Sequence, residues 1–110
     1  MRALAFLHES LDLAREHADR NAIVELLETA SAVVAERGDA ATGALLWGAA
    51  GALRSESGAI RQPDEEAWAS GAAAALREAL GPDEFESGVV EGAALSFDEA
   101  VDRARAIGRG

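Results

Sequence analysis

Leu4, Leu7, Leu11, Ala14 and Ala18 fall three or four residues apart, and comparable stripes recur along the chain. That period lines one face of an α-helix; a strand would alternate every two residues. Six helical segments follow from it. The second carries Ile23, Leu27, Ala30 and Val34, with Asn21 as its expected N-cap and Gly38 as its left-handed terminator. Asp39 caps a third, with Leu46, Trp47, Ala50 and Leu53 on its stripe. Residues 55–62 lack periodicity and read as the longest loop. Pro63 with Asp64, Glu65 and Glu66 opens a fourth helix, since proline and negative charge both suit a helix start. Trp68, Ala72, Ala75, Leu76 and Leu80 are its expected buried residues. Gly81-Pro82 stops it, and Asp83–Glu86 has capping-box spacing for a short fifth helix. Ser96-Phe97-Asp98-Glu99 is the clearest capping box in the chain and opens a sixth helix with Phe97, Ala100, Val101, Ala104 and Ile107 on one face.

Alanine explains how such helices can pack. It accounts for 27 of the 110 residues, against 12 leucines and five aromatic residues. Alanine favours helix and lets helix axes come close. The expected fold class is therefore all-α: antiparallel helical hairpins stacked into a right-handed solenoid fragment of about six helices. The chain reads as one domain over 1–110, with repeat-like helices in 1–56 and C-terminal capping helices in 63–108.

Charge and composition then limit function. The chain carries a net −10 and all its basic residues are arginine. That balance repels phosphate, so the expectation is no direct nucleic acid. Without cysteine, thiol catalysis and thiolate metal sites are excluded. No stretch reaches the length of a membrane span, and the apolar start breaks at His8-Glu9, short of a signal sequence. The expectation is a cytoplasmic protein with no membrane partner.

Helices two and three together span about 34 residues, the length of a tetratricopeptide repeat. The large positions of that motif hold Leu27, Val34 and Trp47. Its small positions, where paired helices nearly touch, hold Ser31, Gly43 and Ala50. Ser55 stands where the repeat often has proline. The chain thus resembles a tetratricopeptide unit, with an ordinary helical hairpin as the alternative.

A second resemblance covers residues 45–104. Leu45-Leu46-Trp47-Gly48-Ala49-Ala50-Gly51-Ala52-Leu53-Arg54, then Ala75–Gly81 with Asp83-Glu84-Phe85, then Glu91–Val101 are similar, in order and spacing, to the C-terminal part of actinobacterial LuxR-type and related multidomain ATP-binding transcriptional regulators. Trp47 is an insertion relative to that pattern, and Gly51 replaces a common glutamate. In that family the segment ends a tetratricopeptide-like array beyond a nucleotide-binding domain. The resemblance implies a regulatory setting. The chain has neither a GxxxxGK[ST] phosphate loop nor a basic recognition helix, so ATP hydrolysis and promoter binding are not carried over.

Nothing in the chain composes an active site. His8, Asp12 and Glu16 share a helix face, yet no other element supplies ligands toward them, and they read as a solvated polar face. The carboxylates of Glu65, Glu66, Asp83, Glu84 and Glu86 sit at helix starts, which favour the charged form and suit capping more than acid catalysis. The expectation is no enzyme, no catalytic residues, no cofactor and no metal. The mid-helix glycines Gly43, Gly48 and Gly51 are read as points of close helix contact.

One binding face can be named. The first helix of a tetratricopeptide repeat lines the concave groove, which assigns Glu25, Glu28, Ala32, Ala35 and Glu36 to a shallow acidic strip for a basic protein or peptide. Self-association is assigned to Leu4, Phe6 and Leu7 at the N-terminal end, which no earlier helix covers; a homodimer through helix one is the simplest closure. The leading function is a non-enzymatic protein-interaction and regulatory module. The alternative is a sensor holding an apolar effector between helices near Trp47 and Trp68.

Overall fold

The chain folds into α1 (Arg2–Glu16), α2 (Arg20–Glu36), α3 (Ala40–Ser57), α4 (Pro63–Leu80), α5 (Pro82–Ala93) and α6 (Phe97–Arg105). These come from a computed structural model, which describes residues 2–58 and 61–107, with side chains from Ala5 onward. Among the described residues there are six helices and no strand. The expected all-α class stands at that level.

Local chemistry sets most of the boundaries. Asp19 and Asp39 cap α2 and α3, each accepting a backbone N–H three residues on at 3.1 Å. Asp19, two positions ahead of the expected Asn21, takes the role because the chain has already turned there: Ala18 has φ 53° and Asp19 N–H reaches the Ala14 carbonyl. Gly38, at φ 96°, ends α2 as expected. Helix α3 runs on to Ser57, so the loop before α4 is shorter than the sequence suggested. In α6, Ser96 Oγ accepts the Glu99 N–H and Glu99 accepts the Ser96 N–H, the reciprocal pair of a capping box. Two backbone N–H groups are thereby satisfied, and the Ser96 N–H, followed by the Ser96 hydroxyl, holds the Glu99 carboxyl below its ordinary value of 4.5.

The main core joins four helices. Leu7, Leu11 and Ala14 of α1, Ile23, Val24, Leu27 and Ala30 of α2, Leu46, Ala50 and Leu53 of α3, and Ala100, Val101 and Ala104 of α6 form one buried cluster with Ile107. Helix α6 therefore returns to cover the stripe of α1. Charges finish that seam: Arg15 meets Asp102 at 2.9 Å and Asp98 at 4.0 Å, and Arg105 meets Asp12 at 2.7 Å. A smaller cluster gathers Ala44, Leu76 and Phe85, with Trp47, Leu80 and Val89 packed against it.

Glycine governs how closely α3 and α5 approach. A Cβ on Gly48 would run into the Val89 carbonyl, one on Gly92 into the Leu45 carbonyl, and one on Gly88 would lie 2.9 Å from the Ala44 methyl. At the α2–α3 contact, Ser31 donates a buried hydrogen bond of 2.7 Å to the Gly43 carbonyl. Gly51 departs from the expected close contact, because a Cβ there meets nothing within 4 Å.

Helix α4 is the loosely held element. Only Ala69 and Leu76 of it are buried, whereas Ala75 is exposed and Trp68 keeps 47% of its surface. The expected burial of Trp68 fails because the residues sharing its stripe, Gly71, Ala72 and Ala75, are too small to draw a neighbouring helix over it.

Candidate docking groove

Glu28 is where α2, α3 and the start of α4 are tied together. Its side chain is 7% exposed, and its carboxylate takes Arg54 of α3 at 3.0 Å and Arg61 just ahead of α4. Arg61 also lies 5.7 Å over the Trp47 ring and 3.6 Å from Glu66. Trp47 in turn meets Trp68 of α4, ring centroids 6.3 Å apart and tilted by 47°. A buried charge is tolerated when it is paired and hydrogen-bonded, as here. Glu28 still borders the open space beside Glu25, but it is not a free carboxylate of the expected acidic strip, because its charge faces two internal arginines.

The linkage sets α4 alongside α2 and leaves a groove between them. Ala32, Ala35 and Glu36 from α2 face Trp68, Ala72, Ala75 and Leu76 from α4 across an open volume of about 530 Å³. Three of the five assigned groove residues stand in this wall. Glu25 stands beyond its end, in a hollow of about 400 Å³ with Asp64, Glu65 and Trp68. Glu65 also accepts the Gln62 N–H at 3.2 Å, so the capping assigned to it is real and coexists with its place in the hollow. Trp68 and Asp64 were missed as groove residues. The available signal was the run of small residues one and two turns beyond Trp68.

A third furrow lies between α1 and α2. Phe6, 70% exposed, and Leu13, 52% exposed, border it with Leu26, Glu25 and Thr29. Of the residues assigned to self-association, Leu7 is corrected: it is 2% exposed, buried in the core that α6 closes. Phe6 keeps its exposure, and the Leu4 side chain lies outside the described residues.

His8, Asp12 and Glu16 do not come together as ligands, since Asp12 is engaged by Arg105. Among the described residues no group of three His, Cys, Asp or Glu side chains is placed to hold a metal ion. None of the described helices is long and apolar enough to cross a membrane.

No protein-family model and no solved structure matches the chain. Over 86 residues, 78% of its length, it is 38% identical to a protein of Mycobacterium bovis named as an HTH-type transcriptional regulator. The same identity holds for counterparts so named in two strains of Mycobacterium tuberculosis. The chain is homologous to a segment of transcriptional regulators. It spans 10% of the length of these relatives.

These names overturn the expectation of no direct nucleic acid. Helix-turn-helix regulators read DNA through a recognition helix. The charge argument failed for a physical reason: the net charge of a segment matching 10% of these relatives does not set the field around a DNA-reading element elsewhere in them. The regulatory setting implied by the resemblance is supported by the same names.

Proposed function

We propose that this chain is a non-enzymatic protein-interaction module of a transcriptional regulator, and that its α2–α4 groove receives a helical segment of a protein partner. The observation that carries the reading is the groove itself: an open, largely apolar trough with Trp68 half exposed in its wall. Exposed aromatic side chains in apolar troughs are the usual anchors of protein contacts. An effector-sensing pocket would enclose its ligand, and an open trough favours the docking reading over that alternative.

The finer architecture belongs to the same proposal. We read α2 and α3 as a tetratricopeptide-like pair within a single domain, with 1–56 as its repeat-like part and 63–108 as its closing part. Support comes from Ser31, Gly43 and Ala50, all buried at the small positions of the motif. On this reading, which keeps the LuxR-type resemblance, DNA reading and partner sensing fall to different segments of one protein.

Calorimetric titration with a 20-residue amphipathic helical peptide, carrying a leucine–alanine stripe and an arginine-bearing polar face, tests the docking role. Ala75→Arg adds a long cationic side chain at an exposed wall position. Binding to the wild type that weakens at least roughly tenfold in the variant is expected, since a filled groove loses most of its apolar contact. Equal affinity for both would count against the groove.

A further inference from the structure

The three open regions share walls. Trp68 borders both the α2–α4 groove and the acidic hollow at its end. Glu25 and Thr29 border both that hollow and the α1–α2 furrow of Phe6, Leu13 and Leu26. Together they make one continuous track across α1, α2 and α4, apolar at each end and acidic in the middle.

The middle has a definite chemistry. Glu25, Asp64 and Glu65 are exposed carboxylates around a half-exposed indole. Glu28 behind them is already neutralised by Arg54 and Arg61. Among the described residues no arginine lies within ion-pair distance of Glu25, Asp64 or Glu65. Three of the other four aromatic rings, all but Phe6, lie under the chain's own cations: Arg20 lies 4.8 Å over Phe97, Arg77 lies 5.2 Å over Phe85, and Arg61 covers Trp47. Among the described residues no cation lies over Trp68, and its neighbours Glu25, Asp64 and Glu65 carry the opposite charge. An aromatic face edged by carboxylates attracts a cation through both the ring quadrupole and Coulomb attraction.

We infer that the track binds a partner-protein segment through a central arginine laid on Trp68 between Glu25 and the Asp64–Glu65 pair, with apolar residues on both sides of that arginine. This rests on the docking role proposed above and specifies its ligand. A guanidinium suits the site better than an ammonium because its plane stacks on the indole while its edge still donates to carboxylates.

The test uses two 20-residue helical peptides with the same leucine–alanine stripe and one central arginine or, in its place, the neutral isostere citrulline. Each is titrated calorimetrically into the full chain at low salt. The arginine peptide should bind roughly three- to tenfold more tightly, the range of a partly desolvated cation–π contact. That ratio should fall toward one in a Trp68→Leu, Asp64→Asn variant whose helical circular dichroism is unchanged. Equal affinity of the two peptides for the wild type would overturn the cation site while leaving the apolar groove standing. Binding of neither would overturn the docking role and this inference together.

Discussion

The guanidinium of Arg61 pairs with the carboxylate of Glu28, 33 positions earlier in the chain, and so fastens the entry of α4 to the middle of α2. Because α4 buries only Ala69 and Leu76, this pair and the Trp47–Trp68 contact carry much of its placement. The groove depends on that placement.

Glu28→Ala should therefore destabilise the fold. Removing one partner strands Arg54, whose side chain is 15% exposed, and leaves Arg61, 19% exposed, with only the longer contact to Glu66. A buried pair broken this way loses several kcal/mol; with the arginines partly reaching solvent, about 3 kcal/mol is expected. Urea unfolding would measure it. A midpoint unchanged from wild type would show that the pair contributes little.

Glycines that look alike in sequence should respond oppositely to alanine. Gly92→Ala puts a methyl into the Leu45 carbonyl and should force α3 and α5 apart, at a cost of roughly 3 kcal/mol or more. Gly51→Ala and Gly71→Ala meet nothing within 4 Å and should stabilise their helices by roughly 0.5–1 kcal/mol each. Thermal melts of the three variants check the contrast, and a loss of stability in all three would contradict the packing described for α3.

The α6 capping box should leave an acid signature. The Ser96 N–H and hydroxyl hold the Glu99 carboxyl below 4.5, so its contribution is present above that value and is lost as pH falls through the lowered one. In an NMR titration of the side-chain carboxyl, Ser96→Ala should move the Glu99 midpoint upward toward 4.5. An unmoved midpoint would mean that the hydroxyl does not act on it.

What the sequence made legible was mostly local. The apolar period, Asp39, Gly38, Pro63 and the Ser96–Glu99 box each act within a few residues, and each marks a boundary or cap found in the fold. The closure of α6 onto α1 was not legible, because Arg15–Asp102 and Arg105–Asp12 join residues at opposite ends of the chain. Glu28 was misjudged for a related reason. A glutamate on a helix reads as solvated until distant arginines are known to reach it. The groove was half legible: Ala32, Ala35 and Glu36 could be assigned from α2 alone, but its opposite wall depends on where α4 settles. Trp68 was taken for core because size alone suggests burial, whereas its small neighbours leave it uncovered.

The central claim, docking through the α2–α4 groove, is tested most directly by mapping where a bound peptide sits. Proton–nitrogen correlation spectra of the labelled chain should be followed during titration with the arginine-bearing amphipathic peptide. The account predicts that the Trp68 indole N–H and the amides of Ala32, Ala35, Ala72 and Ala75 shift most, with the buried α1–α6 seam around Leu11 and Val101 little changed. Saturable binding whose largest shifts fall away from α2 and α4, or no shift at Trp68 at saturation, would contradict it.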